Sequence, residues 1–201
     1  MKKTAFFLLA AFISLAASAQ NHIAIQAQAQ YFPKSDWTTN SVELNGQYIR
    51  DIGKLFHLGA GIGIGTAKPV KYWSQWKVDG VEFTEESLYL PVFLRAKIDF
   101  GAKPSHAFFG LKAGTRICSV EGFDGKPFNP FVANIAPAIG YDIKVGTHKL
   151  GIELMFDTIL GRYQEINSSW DDLLKKYRYE SFETRVDNLW GAVGLAVTFE
   201  F

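Results

Sequence analysis

The sequence predicts an all-β protein: an eight-stranded antiparallel up-and-down transmembrane β-barrel with long extracellular loops and short periplasmic turns. Three observations predict it. Apolar and polar residues alternate with period two in eight segments, the connections between them are alternately short and long, and the polar face is built largely of small residues.

The first element is not part of the barrel. Lys2 and Lys3 precede an apolar stretch from Ala5 to Leu15, and Ala17-Ser18-Ala19 forms a small-residue cleavage site before Gln20. This is the pattern of a secretory signal peptide over residues 1–19, leaving 20–201 as the barrel domain. No cysteine follows the cleavage site, so lipid anchoring is not expected. Beyond Gln20 no apolar run reaches the roughly 18 residues a membrane helix needs.

The strands follow in order. Ile23, Ile25, Ala27, Ala29 and Tyr31 alternate with Ala24, Gln26, Gln28 and Gln30, and then Val42, Leu44, Gly46 and Tyr48 with Glu43, Asn45 and Gln47. The third segment sets Phe56, Leu58, Ala60, Ile62, Ile64 and Thr66 against His57 and four glycines. The fourth runs from Leu88 to Phe100 with Arg95, Lys97 and Asp99 on its polar face; the fifth, from Phe109 to Ile117, carries Lys112 and Arg116. Asp142 and Lys144 lie on the polar face of the sixth (Ala133 to Val145), Glu153 and Asp157 on that of the seventh, which begins at Leu150. The last segment ends at Phe199 and Phe201. No charged residue stands on any of the eight apolar faces. Pro91 and Pro137 each remove a ladder donor, so a bulge or widened pairing is expected beside them.

Connection lengths give the topology. The links from Asp51 to Leu55, Gly101 to His106 and Gly146 to His148 are short; those from Phe32 to Ser41, Ala67 to Glu86, Cys118 to Phe131 and Ile159 to Leu189 are long. A soluble lipocalin-like barrel, with the apolar face turned inward around a ligand, is the alternative fold. The polar face distinguishes the two. It is rich in Gly110, Gly114, Ala136, Ala138, Gly140, Gly151, Ala192, Gly194 and Ala196, which suit a narrow lumen where side chains converge.

Composition agrees. Of 201 residues, 48% are hydrophobic and 15% aromatic, yet mean hydropathy is +0.01, because lipid-facing and lumen-facing residues alternate and cancel. With 21 basic and 20 acidic residues there is no electrostatic footprint for nucleic acid, and one cysteine forms no internal disulfide.

The alternating C-terminus Val197-Thr198-Phe199-Glu200-Phe201 resembles the signal read by the barrel-assembly machinery of Gram-negative outer membranes. Together with the Ala-Ser-Ala-Gln cleavage region and the eight-strand layout, it makes the chain resemble the outer-membrane β-barrel domain family of small, PorT-like barrels. The resemblance implies a fold, export to the cell outer membrane, and contact with membrane lipid, lipopolysaccharide and the assembly machinery. That family is functionally mixed, and no active site carries over.

Candidate sites then fall in the lumen and the loops. Arg95, Lys112 and Glu153 stand at similar heights and point inward, as a salt-bridge network filling the lumen or as an ionic gate. Lys97, Asp99, Asp142, Lys144 and Glu200 are expected to form a second layer near the periplasmic mouth, with Arg116 and Asp157 nearer the outside. Trp37, Trp73, Trp76, Trp170 and Tyr177 are candidate loop contacts for a glycan or protein ligand. Asp79-Gly80 reads as a tight hairpin turn, and the stretch from Ser169 to Tyr177 as a short helix capped by Ser169. Loop lysines and arginines such as Lys71 and Arg178 suit lipopolysaccharide phosphates. His22, His57, His106 and His148 all fall at the periplasmic turns and on separate elements, so neither a catalytic base at the outer rim nor a metal site is expected, and no cofactor is implied. The function expected is a structural or surface-interaction role without catalysis, the alternative being a narrow channel or transport accessory gated by Arg95, Lys112 and Glu153.

Overall fold

Period-two alternation forms a sheet with two unlike faces, and closing that sheet into a barrel leaves it no free edge. A computed structural model of the chain describes residues 21–32, 40–67, 70–73, 80–83, 87–101, 103–121, 127–171 and 176–201. Eight strands make the barrel: β1 (Asn21–Tyr31), β2 (Ser41–Ile52), β3 (Phe56–Ala67), β6 (Ser87–Phe100), β7 (His106–Cys118), β10 (Phe131–Val145), β11 (His148–Asp171) and β12 (Lys176–Glu200). Each pairs antiparallel with its neighbour in the order β1-β12-β11-β10-β7-β6-β3-β2, and β1 with β2 closes the ring. The predicted signal peptide, 1–19, lies outside the described residues.

Burial settles which face is inside. Leu94, Leu88 and Ile23 are 67%, 64% and 63% exposed, while Gln26, Glu43, Arg95, Lys112, Arg116 and Glu153 are buried. The lipocalin-like arrangement is thereby excluded: the apolar face looks outward. Inside, large rings lie over glycines on the neighbouring strand. Phe93 faces Gly61 on one side and Gly114 on the other, Tyr89 faces Gly65, and Phe108 faces Gly140. A Cβ at Gly61, Gly65 or Gly140 would collide with the ring opposite, and one at Gly114 with the Val92 carbonyl and the Phe93 Cβ. The small residues therefore make room for the aromatic ones, which is how a narrow lumen is filled.

The short turns are where the sequence places them. Gly53, Gly101 and Gly146 have φ of 82°, 115° and 64°, and the tightest, between Val145 and His148, needs such a residue to reverse the chain in two positions. Beside Pro91 the β3–β6 pairing stops after Ile62↔Val92 and resumes at Gly65↔Tyr89 in the same register. Beside Pro137 the β10–β11 pairing skips from Ile135↔Thr158 to Ala138↔Met155. Each proline widens the ladder on one side and causes no register shift.

The long links differ from expectation. The second contains a hairpin of β4 (Val70–Trp73) and β5 (Gly80–Phe83) in which Gly80 pairs with Trp73, so Asp79-Gly80 is not its two-residue turn. The third contains a short ribbon of β8 (Val120–Glu121) and β9 (Pro127–Phe128). The helix predicted around Ser169 is absent: β11 and β12 continue their ladder through Ser169↔Arg178, Trp170↔Tyr177 and Asp171↔Lys176. These strands have 24 and 25 residues, more than twice the 9–11 of a tilted membrane crossing. Their pairing with β10 and β1 ends at Gly161 and Val193, and beyond those points the described residues of β11 and β12 pair with each other.

Candidate functional site: the charged lumen

Three layers of polar side chains fill the barrel. The layer nearest the loop end centres on Glu43, a residue of β2 not singled out above. Its carboxylate accepts hydrogen bonds from Lys112 Nζ (3.1 Å), Arg116 Nε and Nη2 (3.0 and 2.8 Å), the Tyr89 hydroxyl (2.9 Å) and Asn45 Nδ2 (3.2 Å). Arg116 Nη2 also donates to Asp157 Oδ2 (2.7 Å), which Gln30 Nε2 reaches at 2.6 Å, and Asn134 Nδ2 donates to Asp157 Oδ1 (3.1 Å). Two acids face two bases, all buried and each hydrogen-bonded, which is the condition for tolerating charge away from water.

Below it, Arg95 Nη2 donates to Glu153 Oε2 at 3.0 Å and Nη1 to Gln47 Oε1 at 3.1 Å. Gln26 Nε2 and the Thr198 hydroxyl donate to the other oxygen of Glu153. The predicted trio is thus only partly a unit. Arg95 and Lys112 are cross-strand partners, and Glu153 pairs with Arg95, but Lys112 turns to Glu43 and to Gln28 Oε1 (3.1 Å).

Above these layers the lumen is capped. Phe32, Tyr89, Phe131, Cys118, Ala67, Ile159 and Ala192 form a buried cluster at the loop end. Tyr89 and Phe131 rings lie 5.7 Å apart, and the Arg116 guanidinium sits 5.4 and 5.8 Å from their centroids. Two cavities lie between the charged layers, each of about 10 Å³, room for about one water. Neither is a pore.

The third layer is the turn-end mouth. Lys97 Nζ contacts Asp142 Oδ2 and lies 3.5 Å from Asp99 Oδ1. Lys149 Nζ donates to Glu200 Oε1 at 3.1 Å. Lys144 does not join: its side chain is exposed. What strand counting missed is the role of the histidines. His57 Nδ1 is 2.6 Å from Asp51 and its Nε2 2.8 Å from Asp99, while His106 Nε2 is 2.7 Å from Asp99, and His22 Nε2 is 3.1 Å from Asp51. Their placement on separate elements, taken above as an argument against a cluster, is offset by the strand order, which sets the turn ends of β3, β6 and β7 side by side. Among the described residues, every polar contact of these histidines is to a carboxylate or a backbone carbonyl, and none is to a hydroxyl nucleophile.

The C-terminal aromatics lie in the closing seam. Phe199 and Phe201 are 4.9 Å apart, His148 stacks near both at 5.4 and 5.9 Å, and Phe201 N donates to Ile23 O at 2.9 Å. Of the loop candidates, Trp37 and Trp76 lie outside the described residues. Trp73 stands in the β4–β5 ladder, and Trp170 and Tyr177 are partners near the tip of the β11–β12 ribbon.

No protein-family model matches the chain, and no curated protein matches it. Solved structures do. Neisserial surface protein A (NspA) is 12% identical over 92% of this chain and 99% of its own, with a TM-score of 0.52. The outer membrane protein OprG from Pseudomonas aeruginosa is 12% identical over 91% of this chain and 96% of its own, with a TM-score of 0.54. The chain therefore has the closed eight-stranded fold of small outer-membrane barrels.

Proposed function

We propose that this protein is an outer-membrane β-barrel with a structural or surface-interaction role, closed to conduction and without catalytic chemistry. One observation carries the reading. The lumen is filled by paired charges from Glu43 to Glu153 and capped by Tyr89 and Phe131, so what the protein offers its surroundings is its exterior. Leu94, Leu88, Ile23 and their neighbours form the apolar wall that a bilayer would cover. Export by the Met1–Ala19 segment and insertion through the barrel-assembly machinery at Phe199 and Phe201 fit that location, as does the resemblance to PorT-like barrels. The extracellular links, including the long β11–β12 ribbon, are the surface on which a glycan, a protein or lipopolysaccharide would dock.

A planar-bilayer recording tests the closed lumen. Wild type and Glu153→Gln are both expected to show no stepwise conductance, and discrete steps in wild type would replace this reading with the channel one. For the loops, a screen against lipopolysaccharide and glycans should find a ligand whose binding drops in Trp73→Ala or Trp76→Ala. Binding unchanged in both would move the contact surface elsewhere.

A further inference from the structure

We propose that Asp99, His106 and Asp142 form a site for one divalent transition-metal ion, with Zn2+ as the best match, at the turn end of the barrel. The argument rests on side-chain geometry and is independent of the surface-interaction reading.

The three residues come from β6, β7 and β10, and His106 and Asp142 are direct cross-strand partners. All are buried, at 5%, 8% and 4% exposure. Their donor atoms lie within 4.8 Å of one another.

The histidine supplies the second observation. His106 Nδ1 is 2.7 Å from the Lys103 carbonyl. That oxygen can only accept, so Nδ1 carries the hydrogen and, in the neutral ring, Nε2 presents a lone pair. Nε2 lies 2.7 Å from Asp99 Oδ2, which His57 Nε2 also reaches at 2.8 Å, and 3.6 Å from Asp142 Oδ2, yet it makes no aligned hydrogen bond; Asp99 Oδ1 likewise makes none, its nearest cation being Lys97 Nζ at 3.5 Å. A lone pair held against two carboxylates is repulsive until a cation lies between them. A ring anchored through Nδ1 to a backbone carbonyl, with Nε2 free among acids, is oriented as metal-ligating histidines are.

Distances fit the ion. Tetrahedral Zn2+ with bonds of about 2.0 Å separates its ligand atoms by about 3.3 Å, and the observed 2.7 and 3.6 Å bracket that value. The nitrogen donor favours Zn2+ over Mg2+. With the imidazoles neutral, charge points the same way: the bonded cluster sets Asp51, Asp99, Asp142 and Glu200 against two lysines, Lys97 and Lys149, and the rings of His22, His57 and His106. Lys97 contacts Asp142 and competes with the ion for it, and its ammonium also lies 4.6 Å from the centroid of the Phe108 ring, a contact that does not need Asp142.

The test is calorimetric titration of Zn2+ into untagged full-length protein refolded in detergent, with Co2+ as a visible-absorption probe. Heat-modifiable gel migration checks that each variant is folded. One ion per barrel is expected. Affinity should fall at least tenfold in His106→Gln and in Asp142→Asn, stay unchanged in His148→Gln, and rise in Lys97→Gln, where the competing ammonium is gone. The last variant keeps the proposal testable should His106→Gln fail to fold. No Zn2+ binding, equal binding of Mg2+, equal affinity in Asp142→Asn, or no gain in Lys97→Gln would each overturn it.

Discussion

In the lumen layer nearest the loop end Glu43 collects Lys112 and Arg116 within 3.1 Å, and Asp157 takes the other side of the same guanidinium. At the turn end, Asp99 collects two imidazoles and a more distant lysine, and its Oδ1 is left without a hydrogen bond. Both regions bury acids in the same tube. The Glu43 layer matches each acid with a permanent cation, whereas at the mouth Asp51 and Asp99 are faced mainly by imidazoles, whose charge depends on a proton. A matched region is one that cannot be cut into without leaving a charge stranded; an unmatched one has capacity to take up a cation.

The largest effect should therefore come from Glu43→Ala. It strands Lys112 and halves the pairing of Arg116 in a site that water does not reach. Losing one partner of a buried pair costs about 3–5 kcal/mol, and this change should lie at the upper end, read as a shift of the urea midpoint for barrel unfolding in lipid vesicles. A loss below about 1 kcal/mol would mean that water enters the lumen, and the contrast with the mouth would disappear.

Glu43 also shows where reading the chain stops. Its inward direction follows from alternation with Val42 and Leu44, and so do those of Arg95, Lys112, Arg116, Asp142 and Glu153, all of which are inside. Its partners do not follow, because Lys112 and Arg116 lie 69 and 73 residues away. Contact across the lumen depends on how the strands are staggered around the ring, which no local pattern encodes. The histidine cluster was hidden for the same reason. The β11–β12 ribbon was missed for another. Period two is visible only where one face meets lipid or a packed interior, and from Arg162 to Asp171 the apolar or aromatic residues are Tyr163, Ile166 and Trp170, which do not alternate. With that signal absent, the local cues of Ser169 and the charges after it suggested a helix, and the β11–β12 ladder, running out from the barrel at Lys149↔Glu200 to Asp171↔Lys176, overrode them.

A middle-sized effect separates the worth of a pair from the penalty of breaking it. Arg95→Met and Glu153→Met should each cost about 3 kcal/mol, since each leaves a buried charge facing methionine. The double variant should recover most of that loss, giving a coupling of about 2 kcal/mol or more in the cycle. Additive losses would show that Gln26, Gln47 and Thr198 carry these charges without the ion pair, making the middle layer as loosely matched as the mouth.

The smallest effect should be at Lys149, which belongs to the mouth but to its outer edge. Its ammonium donates to Glu200 at 3.1 Å, the same distance at which Lys112 reaches Glu43. Distance does not decide the outcome; solvent does. The Lys149 side chain is 27% exposed against 8% for Lys112, so water screens the pair and rehydrates whichever partner is left. Glu200 also retains His22 Nδ1 at 3.6 Å. Lys149→Ala should accordingly cost no more than about 1 kcal/mol, the range of exposed ion pairs, and should shift the urea midpoint far less than Glu43→Ala. A loss of about 3 kcal/mol or more would place the mouth in the same desolvated regime as the Glu43 layer, and the difference between the two regions would then have to lie in the histidines alone.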